Sequence, residues 1–157
     1  MRRAKLITQS AIIASLYVVL TFVANAMGLA SGAIQIRLSE ALTILPFFTP
    51  AAIPGLFIGC LISNILVGGV IWDIIFGSLA TLIGAIGTYY LRKHKWLTPL
   101  PPIISNAIII PFVLVYAYGV TDALPYLMLT VGIGEVISAG LLGMLLLNSL
   151  NKHKDIF

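Results

Sequence analysis

The stretch Leu6–Met27, LITQSAIIASLYVVLTFVANAM, decides the class of fold. Between Ile12 and Leu20 it is apolar on nearly every side of a helix, so no face of that helix is suited to water. A membrane-spanning helix needs about 20 such residues, and this stretch supplies them. Ala24–Asn25–Ala26 resembles a signal-peptidase site. Because the apolar run exceeds the roughly 7–15 residues of a signal core, we expect it to remain as a span.

The rest of the chain has the same character. Of its 157 residues, 60% are hydrophobic and only 9% are charged, whereas a soluble domain carries about 25% charged residues. Such a surface is suited to lipid, and the continuous apolar runs argue against the alternating pattern of a β-barrel. We therefore expect an all-α, multi-pass protein of the cell membrane that forms a single domain over residues 1–157.

Six apolar segments are predicted, at residues 6–27, 41–48, 51–67, 70–91, 103–118 and 124–150. The second is anomalous, because the 11 residues from Ser39 to Thr49 would extend only about 16 Å as an α-helix. The hydrocarbon core is about 30 Å thick. Either this helix begins earlier and carries Arg37 and Glu40 with it, or the loop dips into the membrane. Short, proline-interrupted segments are typical of binding sites in transporters.

The net charge of +4 comes from basic residues at the ends of the apolar segments. Three clusters hold most of them: Arg2, Arg3 and Lys5; Arg92, Lys93 and Lys95; Lys152 and Lys154. Basic residues of this kind are typical of cytoplasmic loops. Six spans with both termini in the cytoplasm would place all three clusters on that side, so the charge does not indicate a nucleic-acid partner.

Few ionisable side chains remain once the basic ends are set aside, and each is a functional candidate because charge is costly in hydrocarbon. They are Arg37, Glu40, Asp73, Asp122 and Glu135. The predicted topology places the first four near the outer face and Glu135 about 16 Å into the last helix. Polar and aromatic residues near the outer helix ends extend the candidate site: Asn25, Asn64, Trp72, Tyr116 and Tyr118.

An excess of carboxylates beside aromatic rings suits a flat, cationic ligand that donates hydrogen bonds. A carboxylate can accept two parallel hydrogen bonds from an N–H pair, and an aromatic ring can stack on a flat cation. Purely structural roles stay open at this point. Arg37 and Glu40 can pair with each other, and Asp73 can be a charge favoured at a helix N-terminus. Trp72 can be an interfacial anchor, and Asn106 can be a contact between helices.

Small residues at four-residue spacing let helices approach closely. Three such pairs occur: Ala11 and Ser15, Ala80 and Gly84, Ala139 and Gly143. They serve either packing within this chain or docking to another membrane subunit. The first helix is the better docking candidate, because a terminal helix has fewer neighbours in its own chain.

Several kinds of catalytic motif are missing from the sequence. It contains no P-loop, no nucleophile–base–acid order and no histidine-rich metal spacing. His94 and His153 lie within the basic clusters, and Cys60 is the single cysteine. We therefore expect no enzymatic activity, no metal site and no cofactor bound to this chain.

Several motifs together closely resemble the QueT family, over nearly the whole chain. They are IQIRLSEALT at 34–43, LPFFTPAAIPGLFIGC at 45–60, DIIFGSLATL at 73–82, Pro101-Pro102 with Asn106, and GIGE at 132–135. The resemblance implies a six-helix substrate-binding S-component of an energy-coupling factor (ECF) transporter. It further implies uptake of a queuosine precursor, with 7-aminomethyl-7-deazaguanine (preQ1) as the expected substrate.

The same resemblance implies partners and residue roles. The partners would be a transmembrane coupling subunit, docked on Ala11 and Ser15, and two cytoplasmic ATPases that use the ATP. Ser15 stands where a second alanine is expected. The matched motifs carry Arg37, Glu40, Asp73, Asn106 and Glu135 into the site. From the chemistry of these residues, our own hypothesis is that Glu135 or Glu40 binds the guanine-like edge, Asp73 holds the ammonium group, and residues 28–40 form a lid.

Two other functions are kept as alternatives. The chain could be a small ion-coupled secondary transporter in which Glu135 carries a proton. It could also be a membrane scaffold that binds no ligand.

Overall fold

The computed structural model describes residues 2–153, which are helical in outline and contain no strand. The α-helices are α1 (Arg2–Ala26), α2 (Ala52–Leu66), α3 (Ile71–Leu91), α4 (Leu100–Tyr116), α5 (Leu124–Glu135) and α6 (Gly143–Asn151). A 3₁₀ segment (Leu38–Phe47) precedes α2, a 3₁₀ turn (Lys95–Leu97) precedes α4, and a π-helical segment (Val136–Leu142) joins α5 to α6. Lys154, from the third basic cluster, lies outside the described residues.

Four helical stretches are long and apolar enough to cross a membrane: Arg3–Ala26, Ile71–Leu91, Lys95–Tyr116 and Leu124–Asn151. The apolar helices Leu38–Phe47 and Ala52–Leu66 are shorter. The prediction of an all-α chain is therefore confirmed for the described residues, and four of its helical stretches have the length and composition to span a membrane.

The anomalous second segment is a 3₁₀-helix. Its 10 residues rise by about 2.0 Å each and so extend about 20 Å, further than the same residues in an α-helix. Glu40 lies in its first turn, whereas Arg37 precedes it with extended backbone at φ −104° and ψ 100°. The helix thus carries one of the two charged residues and leaves the other in the loop.

Close contacts at glycines show that α1 and α2 run parallel. A Cβ atom at Gly55 would lie 2.8 Å from the carbonyl oxygen of Ser10, and one at Gly59 would lie 2.8 Å from Cβ of Tyr17. The hydroxyl of Ser10 also donates to the carbonyl of Ala51 at 2.8 Å. The 3₁₀ segment therefore carries the chain back beside the early part of α1, where α2 begins.

The remaining helices alternate in direction. A Cβ at Gly77 would approach Ile110, and one at Gly84 would approach Pro102, so α3 and α4 are antiparallel. Gly132 faces Ala107 and Gly140 faces Ile103 in the same way, so α5 is antiparallel to α4. One end of the bundle, here called the basic end, therefore carries Lys5, Arg92–Lys95 and Lys152. The other end, the loop end, carries residues 27–37.

Two of the three small-residue pairs pack inside the chain. Ala80 and Ala139 are fully buried, and a Cβ at Gly143 would lie 3.1 Å from Cγ2 of Ile44. Ala11 and Ser15, by contrast, are exposed on α1. Of the predicted docking candidates, only the pair on α1 remains on the surface.

Replacing Gly84 by alanine should destabilise the fold. The added Cβ would lie 2.7 Å from Cα of Pro102, and overpacking of this kind costs about 1–3 kcal/mol. We expect a lower melting temperature in detergent. Gly132→Ala is the matched control, because its Cβ would lie 3.7 Å from Ala107, an ordinary contact. Equal melting temperatures for the two variants would show that α3 and α4 are not closely packed at Gly84.

Candidate functional site

Two cavities lie at the loop end of the bundle. The first, about 320 Å³, lies between the loop, α4 and α5. The second, about 410 Å³, lies among α1, the loop, α2, α3 and the end of α4. Gln35 and Arg37, together with Ile110, Leu114 and Val120, line both cavities and so form a common wall. Each volume falls in the range of small-molecule sites, about 300–1,000 Å³.

Glu135 is the buried carboxylate of the first cavity, which the exposed Asp122 also lines. Its side chain is 5% exposed, and its Oε2 atom has no hydrogen-bond partner among residues 2–153. Buried polar atoms are nearly always paired, so an unpaired carboxylate oxygen beside a cavity indicates a place for a ligand's donor. Glu135 is also the last residue of α5, directly before the π-helical segment, and such segments are frequent at functional sites.

Glu40 lies behind the cavities. It is fully buried and does not line either cavity. The hydroxyl of Tyr17 donates to its Oε1 atom, and Nδ2 of Asn106 donates to Oε2 at 3.4 Å. Glu40 and Asn106 thus form an interior network with Tyr17 that ties the 3₁₀ segment to α1 and α4.

Arg37 is half-buried between the two cavities. Its backbone N–H donates to Oγ of Ser138, in the π-helical segment, at 3.0 Å. Its guanidinium makes no hydrogen bond within the described chain, and it lies within electrostatic reach of Glu40, Glu135 and Asp73. An exclusive Arg37–Glu40 pair, one of the structural readings of the sequence, is therefore not formed.

Asp73 provides the acidic group of the second cavity. It lies in the first turn of α3, where the helix dipole favours a negative charge. The hydroxyl of Tyr118 donates to its Oδ2 atom at 2.8 Å. Asn64 also lines this cavity and donates from Nδ2 to the backbone oxygen of Asp73 at 3.3 Å. The structure thus brings two of the candidate residues, Asp73 and Asn64, together at the second cavity.

Trp72 and Tyr116 are placed outside both cavities. They are 56% and 83% exposed and line an external apolar groove with Phe76 and Phe112. The aromatic residues that line the cavities are Tyr17, Tyr118 and Tyr126. Tyr17 was missed because it stands within an unbroken apolar run, where its sequence context indicates only a spanning helix.

The loop before the 3₁₀ segment is packed directly against α5. A Cβ atom at Gly134 would overlap the carbonyl oxygen of Gln35, so only glycine lets the loop lie this close. The N–H of Ile36 donates to the carbonyl of Leu29 at 2.8 Å, which closes the loop on itself. Gln35 and Arg37 are thereby held where they separate the two cavities.

Helices of spanning length around acidic cavities at one end define a multi-pass membrane protein that can hold a small polar solute. The chain belongs to the QueT transporter family, whose model matches residues 7–152. Over 74 residues it is 43% identical to the queuosine precursor transporter QueT of Lactococcus lactis subsp. cremoris (strain MG1363). That match covers 46% of this chain and 43% of the relative, less than half of either. No solved structure matches.

The predicted family is therefore confirmed. The family and the relative are transporters and not enzymes, in agreement with the prediction of no enzymatic activity. Membership in a transporter family and several helices of spanning length also agree with the predicted multi-pass location in the cell membrane.

Proposed function

We propose that this chain is the S-component of an ECF importer and captures the queuosine precursor preQ1 from outside the cell. The observation that carries the proposal is the buried Glu135 carboxylate beside a cavity of ligand size, whose Oε2 atom has no partner among the described residues. The relative named for queuosine precursor transport supports the choice of substrate.

The chemistry of preQ1 suits the charges around the two cavities. Its guanine-like edge offers a pair of N–H donors, which a carboxylate accepts in parallel, and Glu135 is the proposed acceptor. Its aminomethyl group is an ammonium ion at neutral pH, and Asp73 in the second cavity is the proposed partner. The ligand would therefore lie across the boundary between the two cavities, with Gln35 and Arg37 shifted from the position in which they separate them. Within residues 2–153, Glu40, Glu135 and Asp73 face one guanidinium, that of Arg37. The excess of negative charge favours a cationic ligand.

We further propose six membrane crossings with both termini in the cytoplasm, so that the loop end faces outside. The clustering of Lys5, Arg92–Lys95 and Lys152 at one end supports this topology under the positive-inside rule. The 3₁₀ segment, about 20 Å long, would be the shortest crossing. Residues 28–40 would act as the lid, because this stretch lines both cavities and supplies Gln35 and Arg37 to the wall between them.

The proposed partners are a transmembrane coupling subunit and two cytoplasmic ATPases. Ala11 and Ser15 support the docking proposal because they alone among the small-residue pairs are exposed. ATP would be used by the partners, and this chain would only bind and present the substrate.

Equilibrium titration of the purified chain tests the substrate. We expect a dissociation constant for preQ1 at or below about 1 μM, equivalent to about −8 kcal/mol. Guanine, which lacks the ammonium group, should bind more weakly, and an unrelated vitamin such as thiamine should not bind. Binding of all three with equal affinity would overturn the choice of substrate. No binding and no thermal shift with preQ1 would favour the ligand-free scaffold.

The buried Glu135 also suits the second candidate, an ion-coupled secondary transporter in which it carries a proton. Uptake into liposomes separates the two mechanisms. The S-component proposal expects no accumulation of preQ1 by this chain alone, with or without a proton gradient, and ATP-dependent accumulation when the partners are present. Gradient-driven accumulation by the chain alone would contradict the S-component mechanism.

A further inference from the structure

We infer that Tyr17 is the aromatic wall on which the flat ring of the substrate packs, and that Glu40 is a positioning residue that holds Tyr17 in place. This inference rests on the proposed function, and it separates the roles of the two buried glutamates. Glu135 would contact the substrate, whereas Glu40 would act only through the tyrosine.

The first argument for this role is the position of Tyr17 beside the second cavity. Tyr17 lines the second cavity together with Asp73 and Asn64, although its side chain is only 2% exposed. Its hydroxyl donates to Glu40, which does not line that cavity. With the hydroxyl engaged in the interior, the ring atoms of Tyr17 are what remains to face the cavity. A planar ligand whose ammonium group pairs with Asp73 would have its ring beside Tyr17.

The ring is also fixed before any ligand arrives. Gly59 of α2 comes so close that an added Cβ would lie 2.8 Å from Cβ of Tyr17. Glu40 holds the other end of the side chain and accepts a second hydrogen bond from Asn106. Because a preorganised aromatic side chain loses little conformational freedom on binding, it favours tight stacking. Both oxygens of Glu40 are already engaged, in contrast to the unpaired oxygen of Glu135.

The other cavity tyrosines are less suited to this role. Tyr118 and Tyr126 are 45% and 48% exposed, and the hydroxyl of Tyr118 is bound to Asp73 at the cavity rim. Of the tyrosines that line the two cavities, Tyr17 is the one enclosed by the bundle.

The test measures affinity for two ligands with the same ring, the cationic preQ1 and the neutral 7-cyano-7-deazaguanine. Tyr17→Leu should weaken both by a similar factor, about 10- to 100-fold for a lost stacking contact, and leave the ratio of the two affinities unchanged. Asp73→Asn should instead weaken the binding of preQ1 more than that of 7-cyano-7-deazaguanine, because it removes a charge that only preQ1 uses. Tyr90→Leu is the matched control, since Tyr90 is 77% exposed at the basic end, and it should bind both ligands like the wild type.

A double-mutant cycle tests the role of Glu40. Glu40→Gln should weaken both ligands equally, and it should have no further effect once Tyr17→Phe has removed the hydroxyl. Additive losses, or a loss confined to preQ1, would show that Glu40 contacts the ligand and would overturn the inference. If Tyr17→Leu fails to fold, this cycle still tests whether Glu40 acts on the ligand through the hydroxyl of Tyr17.

A failure of the proposed function and a failure of this inference give different results. If the wild type binds neither ligand, the proposed function fails and the inference fails with it. If the wild type binds but folded Tyr17→Leu has wild-type affinity for both ligands, the inference alone is overturned.

Discussion

Glu135→Gln is expected to weaken preQ1 binding by about 30- to 1,000-fold, because a buried, charge-assisted contact contributes about 2–4 kcal/mol. The substitution removes the negative charge and places an amide N–H₂ group where an acceptor is needed. Isothermal titration of the two purified proteins measures the loss. Unchanged affinity would remove Glu135 from the site.

The melting temperature of the ligand-free variant is the control for this experiment. Oε2 of Glu135 has no partner among the described residues, and a buried unpaired carboxylate is costly. Neutralising it should leave the melting temperature equal or higher. A large loss of affinity without a loss of stability would therefore be a direct effect on the ligand.

Ala11→Trp is expected to abolish assembly with the coupling subunit while preQ1 affinity stays at the wild-type value. Ala11 is exposed and lines an apolar groove of about 540 Å³ with Leu6, Ile7, Pro54 and Ile58. An indole ring there would prevent the close approach that a small residue permits. The groove is built from early residues of α1 and α2, away from both cavities. Co-purification with the coupling module measures assembly, and ATP-dependent uptake should be lost in parallel.

Ile104→Trp is the control for added bulk on an apolar surface formed by α3 and α4 and not by α1. Ile104 is 52% exposed on α4, so its replacement should permit assembly. Ser15→Trp should behave like Ala11→Trp, because Ser15 lies one helical turn further along the same exposed face. If both α1 variants assemble normally, the docking surface lies elsewhere.

The positions of the helices could be predicted because the length of an apolar run and its flanking breaks are local properties. The predicted segment 51–67 is one residue longer at each end than the observed helix Ala52–Leu66. The predicted segment 70–91 begins one residue before the observed helix Ile71–Leu91. The 3₁₀ and π-helical segments could not be predicted, because these differ from an α-helix in hydrogen-bond register and not in composition. The short length of the second segment showed that it was not an ordinary membrane span, but it did not show that the segment forms a 3₁₀-helix.

The site was only partly predictable, because each role depends on which way a side chain faces. Glu40 and Glu135 look alike in sequence, yet donors from Tyr17 and Asn106 engage both oxygens of Glu40, whereas Oε2 of Glu135 has no partner among the described residues. Trp72 stands next to Asp73 in the chain but faces outward, since consecutive residues on a helix point about 100° apart. The roles of these residues depend on distances between side chains across the bundle, which spacing along the chain does not give.

Cysteine labelling in intact cells tests the central claim, that preQ1 is held in the cavities and enters from outside. Val131→Cys places a thiol in the lining of the first cavity, and Ser149→Cys places one at the exposed basic end. The chain's single native cysteine, Cys60, is buried and serves as a silent background.

The measurement is the rate of reaction with a membrane-impermeant maleimide, with and without preQ1. We expect Val131→Cys to react from outside and preQ1 to slow the reaction, whereas Ser149→Cys should react only after the cells are opened. Reaction of Val131→Cys only from the inside, or at the same rate with saturating preQ1, would contradict the central claim.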